Sequence, residues 1–138
     1  MKKRNLLLVL GSMFLGVLMM SFMNLQDQKP GAPWTIPAAY KTKVNPHKDD
    51  ASLVRTGRTL WAQHCRSCHG NMGLGDGPRA RTLKTFPGNF KDADFQKHTD
   101  GDIYYMSFVG RDEMPNFEKT ITDDEERWAI VNFIRTMK

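Results

Sequence analysis

Cysteine is almost missing from this chain: 138 residues hold two, Cys65 and Cys68. That excludes a secreted domain stapled by several disulfides, which needs more cysteines spread along the chain. Internal repeats and low-complexity tracts are absent, so an array or solenoid is excluded. No segment alternates as a strand would, so β architectures find no support. The net charge is +5, but three of the 20 basic residues are Lys2, Lys3 and Arg4, and all 15 acidic residues come later. The remainder carries 17 basic against 15 acidic residues with no basic run. A nucleic-acid partner would want such a run on one surface, so none is expected.

The chain nonetheless has strong punctuation. Lys2, Lys3 and Arg4 precede an apolar run without charge from Leu6 to Met23. A basic start and a long apolar run are the pattern of an export signal, here long enough to reach the lower limit of a membrane span. Nothing like Ala-x-Ala follows it, and no cysteine lies near for lipid attachment. The expectation is an uncleaved single-pass anchor in residues 1–23, with the remainder facing the periplasm or the outside of the cell. A cleaved signal and a soluble periplasmic product is the alternative. Residues 24–50 hold Pro30, Pro33, Pro37 and Pro46 and read as an extended, proline-rich linker. Trp34, Ile36 and Tyr40 within it are large apolar residues, suited to packing along the chain's own domain or to docking on a partner subunit.

Residues 51–138 read as the folded unit, and its pattern is helical. Asp50 can cap a helix over 51–64, with Leu53, Gly57, Leu60 and Trp61 at helical spacing. Gly70 to Pro78 is dense in glycine and must be loop. A short helix is expected near 79–84, another from Asp100 or Asp102 to Gly110, and a last one opened by a Thr122/Glu125 capping box. The apolar face of that last helix is Ile130, Phe133, Ile134 and Met137.

Between the first helix and the glycine-rich loop stands Cys65-Arg66-Ser67-Cys68-His69. This C-x-x-C-H spacing is the signature of covalent haem attachment. Two thiols three residues apart add to the two vinyl groups on one edge of a haem, and the next residue offers an imidazole to the iron. A zinc site would want a further ligand pair at finger spacing, and the sequence has no third cysteine. A thioredoxin-like redox pair would want strands around it. For the sixth iron position the candidates are Met114, Met106 and His98. Met114 stands in a charged loop and precedes Pro115, a placement that suits presentation of a thioether. Met106 falls inside a helix beside aromatic residues, where a packing role fits, and His98 has polar neighbours.

These elements together resemble a class I monohaem cytochrome c of bacterial type over about residues 51–138. The resemblance rests on Gly57, Trp61, Cys65-x-x-Cys68-His69-Gly70, Gly73-Leu74-Gly75-Asp76-Gly77-Pro78, Pro87 to Phe90, Gly110, Met114-Pro115, Trp128 and Phe133. It implies an all-α fold packed around one haem c, here preceded by the N-terminal apolar helix. It further implies crossing terminal helices with Gly57 against Phe133, and axial ligation by His69 and Met114. Pro78 is the candidate whose carbonyl would hold the proximal imidazole. The implied function is electron transfer between redox partner proteins, with no small-molecule substrate. A fixed haem subunit in a larger respiratory oxidoreductase is the second expectation, and a haem-based sensor or catalyst with an open sixth position the third.

Overall fold

The computed structural model describes residues 28–138. Among them lie six α-helices: α1 Ala38–Lys41, α2 Ala51–His64, α3 Arg66–His69, α4 Ala93–Gln96, α5 Asp100–Phe108 and α6 Asp124–Ile134, with a 3₁₀ turn at Ala80–Thr82. Extended pairing among these residues is limited to two isolated bridges, Lys29 with Thr85 and Arg111 with Met114. The described residues are all-α, as their periodicity requires.

Each long helix starts on a side-chain cap. Asp50 accepts from the Ser52 amide at 2.9 Å at the head of α2. Thr99 and Asp102 form a reciprocal capping box on α5, so the residue before Asp100 opens that helix. On α6 the cap is Asp123, whose carboxylate accepts from Glu125 and Glu126 at 2.7 and 3.3 Å. The cap is thus Asp123, one residue beyond the expected Thr122, and it acts from one side chain in place of the expected Thr122/Glu125 box. A carboxylate at Asp123 reaches two amides at once, and its charge suits the positive end of the helix.

The frame is the crossing of α2 and α6. Leu53, Gly57 and Trp61 form the buried stripe of α2. A Cβ on Gly57 would overlap the Ala129 carbonyl and come within 2.9 Å of Phe133 Cβ. The absent side chain therefore sets how closely the two backbones approach. Trp128, Ala129, Ile130, Val131 and Ile134 on α6 are almost wholly excluded from water. α5 closes the third side: Tyr104 packs on Trp128 and Phe108, with centroids 4.6 and 4.9 Å away.

The proline-rich segment packs on this frame. Ile36 is buried in the core, and Trp34 and Tyr40 lie against it. Tyr40 meets Tyr105 edge-on at 4.8 Å. Asn45 donates to Asn132 of α6 at 2.8 Å, and Asn132 donates back to the His47 carbonyl at 2.7 Å. These buried polar pairs tie the segment to the last helix.

The expected placement as a single-pass protein of the cytoplasmic membrane is corrected. Among the described residues no helix is long and apolar enough to cross a membrane. The longest, α2, has 14 residues, about 21 Å at 1.5 Å per residue, against a hydrocarbon core of about 30 Å. The apolar run Leu6–Met23, on which the anchor and the N-terminal apolar helix rested, lies outside the described residues.

Candidate haem site

Cys65 ends α2 and starts α3, so the C-x-x-C-H segment is a single helical turn. Cys68 and His69 amides both bond back to the Cys65 carbonyl, at 3.2 and 3.0 Å. The turn brings both sulfurs and the imidazole to the wall of one cavity of about 800 Å³. The glycine-rich loop then folds back over the turn. The Gly75 amide reaches the His69 carbonyl at 3.0 Å, Gly77 reaches Cys68 at 3.2 Å and Arg79 reaches Ser67 at 2.8 Å. A Cβ at Gly77 would strike the Ser67 and Arg66 carbonyls. The orphan carbonyls at the end of this short helix are thereby satisfied, and small residues make that possible.

His69 is buried in an aromatic nest. Phe90 lies 4.9 Å and Trp61 5.7 Å from its ring centre. Trp61 is fixed in turn by its indole N–H, which donates to the Gly70 carbonyl at 3.0 Å. Burial pushes the His69 pKa down to about 4, while the nearby Pro87 carbonyl favours the protonated ring. At neutral pH the ring is neutral and carries a lone pair for a metal. Its Nδ1 is buried without a hydrogen bond of good geometry. Burial raises the Cys65 thiol to about 12. A reactive redox thiol would be shifted the other way.

Met114 lines the same cavity and is half-buried. Its loop is a tight turn in which Arg111 and Met114 exchange backbone bonds at 2.9 and 2.7 Å. Met106 of α5 and His98 also line the cavity. Met106 is a member of the core cluster. His98 Nδ1 faces the Asp102 carboxylate at 3.7 Å. Pro78 is exposed and does not line the cavity, whereas Pro87 does. The carbonyl beside His69 is therefore that of Pro87, nine residues beyond the expected one. A backbone acceptor leaves no mark in side-chain chemistry, and only the fold of the loop selects it.

The donor set fits a haem c. Two half-buried free thiols, a neutral imidazole and a thioether converge on one largely apolar space. Its size lies toward the upper end of the roughly 300–1,000 Å³ common for ligand sites. Among the described residues no group of three or more His, Cys, Asp or Glu side chains could hold a metal ion alone. Sequence reasoning did not anticipate Phe90 and Phe117 as cavity walls, nor Gly31 to Trp34, which line it from the proline-rich segment. The aromatics of that segment were its one visible signal.

A family model described as Cytochrome C oxidase, cbb3-type, subunit III, matches residues 52–134. Comparison with curated proteins gives no match.

Proposed function

We propose a function from one premise: the chain belongs to the Cytochrome C oxidase, cbb3-type, subunit III family, a family of cytochrome c domains. A domain of this kind serves haem-based electron transfer. In this chain we assign one haem, attached through Cys65 and Cys68, with His69 and Met114 as the axial pair. The carrying observation is that these four side chains line one cavity, with His69 neutral and its Nδ1 left for an ordering partner. The bound group supplies one-electron cycling between Fe(II) and Fe(III). The protein's part is to hold that group and tune it. Trp61 and Phe90 fix the imidazole plane and keep water from it. The Pro87 carbonyl is placed to accept from the Nδ1 proton, which would fix the tautomer and raise ligand basicity. Met114, which lines the same cavity, would supply the second protein ligand, and that would leave no open position for oxygen or peroxide. We take residues 51–138 as the cytochrome c domain and residues 24–50 as its proline-rich linker, of which Gly31 to Trp34 also line the cavity.

Intact mass and the optical spectrum of the matured protein test this assignment. One haem per chain and a methionine–iron signature lost in Met114→Ala are expected. A chain without covalent haem, or a Met114→Ala spectrum identical to wild type, would overturn it.

A second reading, a fixed subunit of an oxidase complex, is favoured by the family's description, which names an oxidase subunit. Native sizing of the red species separates the two. A particle of about the chain's own mass fits a shuttle, and stable co-migration with other polypeptides fits the subunit.

A further inference from the structure

The loop that carries Met114 is held from two sides. On one, the Glu113 carboxylate accepts the backbone amides of Lys84 and Thr85 at 3.0 and 2.9 Å. On the other, the Arg111 guanidinium reaches across to the proline-rich segment. Its Nη1 donates to the Pro33 carbonyl at 2.8 Å, its Nη2 to the Ala32 carbonyl, and its centre lies 3.9 Å from the middle of the Trp34 ring. The segment offering these acceptors is itself anchored. Gln28 donates from its side chain to the Leu83 carbonyl at 3.0 Å and to that of Ala80. The Phe86 amide donates to the Lys29 carbonyl at 3.1 Å. Trp34 meets the Tyr105 ring of α5 edge-on at 6.3 Å. Residues 28–34 precede the stretch matched by the family model, so this clamp is additional to what the family match covers.

We infer that Gln28–Trp34 is a positioning segment for the iron's sixth ligand, acting on Met114 through Arg111. The inference rests on Met114 being that ligand. Arg111 and Met114 are the two ends of one turn, bonded to each other in both directions. Fixing the guanidinium fixes the backbone that aims the thioether. A planar fork with several donors can hold two carbonyls and stack on a ring at once, which a lysine ammonium cannot. A thioether has no charge to hold it on the iron, so its retention depends on the loop staying in place. With the clamp removed, the loop can swing away and an external ligand can compete for the position.

The experiment uses ferric holoprotein and imidazole as the competing ligand. Imidazole binding and loss of the methionine–iron band are followed in wild type, Arg111→Ala, Arg111→Lys, Trp34→Leu, Lys91→Ala and Met114→Ala. Arg111→Ala and Trp34→Leu are expected to bind imidazole roughly 10- to 100-fold more tightly, the range typical for loss of an outer-shell partner. Arg111→Lys should recover only part of the difference, and the exposed Lys91→Ala should match wild type. The Met114 amide should exchange hydrogen faster in Arg111→Ala. If Met114→Ala abolishes the band while Arg111→Ala and Trp34→Leu titrate like wild type, the positioning role is overturned and the ligand assignment stands. The positioning role fails equally if those two variants lower the melting temperature and leave imidazole affinity unchanged. If Met114→Ala leaves the band intact, the ligand assignment itself has failed.

Discussion

Trp61 does two jobs with one side chain: its ring walls the His69 imidazole, and its indole N–H satisfies the buried Gly70 carbonyl. Trp61→Phe keeps most of the wall and removes the donor. Leaving that carbonyl unpaired costs about 1–3 kcal/mol, so the denaturation midpoint should fall accordingly while the haem stays attached. An unchanged midpoint would mean that water replaces the bond. At this scale the sequence was legible wherever one residue type carries its own chemistry. Cys65, Cys68 and His69, to which we assign the haem, announce themselves because two vinyl groups on one edge of a haem would dictate that spacing. Met114 stood out because a methionine before proline in a charged loop is badly placed for packing. Pro87 did not, because what it offers is a carbonyl that every residue possesses. Arg111 was hidden for a related reason: its partners are the backbone carbonyls of Ala32 and Pro33, nearly 80 residues away.

Among the elements, α6 is the most exacting, since it must be capped, crossed by α2 and bridged to α5. Asp123→Ala removes a carboxylate that satisfies two amides and should cost about 0.5–2 kcal/mol, whereas Thr122→Ala should be near neutral. Thermal unfolding of the pair distinguishes the observed cap from the neighbouring residue. Gly57→Ala forces a methyl group onto the Ala129 carbonyl. Because backbone cannot turn aside as a side chain can, the helices must part, and a loss at or above the usual 1–3 kcal/mol of overpacking is expected. The contact of α5 with α6 adds a pH dependence. Tyr104 donates its hydroxyl to Asp124 at 2.5 Å and accepts from Arg127 at 3.0 Å. Burial, the first cause, raises its pKa from 10.0 to about 12. The unfolded chain thus loses this proton before the folded one does. Stability should be fully present below pH 10 and fall between about pH 10 and 12. Tyr104→Phe should flatten that part of the curve, and an unchanged slope would assign it to other groups. Helix periodicity and the glycine contact were readable from sequence. So was the Asp50 cap of α2, whereas the cap of α6 was not, because Thr122 and Asp123 are both competent and only the helix phase decides between them.

For the whole molecule, the core and the cofactor site are one construction. Ile103, Met106, Phe90 and Phe117 face the cavity and also belong to, or pack against, the hydrophobic cluster. The sequence disclosed a small helical unit in need of a cofactor. It offered packing of the proline-rich segment along its own domain as one reading, but not that Gly31–Trp34 would line the cavity, because proline density looks the same in a spacer and in a strap pinned by distant partners. With no haem bound, water would enter the cavity of about 800 Å³ and wet the ring of His69 and the apolar walls that depend on one another. Each Å² of apolar wall left in water forgoes roughly 25 cal/mol of stabilisation. The haem-free chain should therefore keep helical circular dichroism but lose cooperative thermal unfolding. Haem attachment should restore a single sharp transition. A haem-free chain that melts cooperatively at the holoprotein's temperature would show that the helices support themselves, with the cavity serving only as a receptacle.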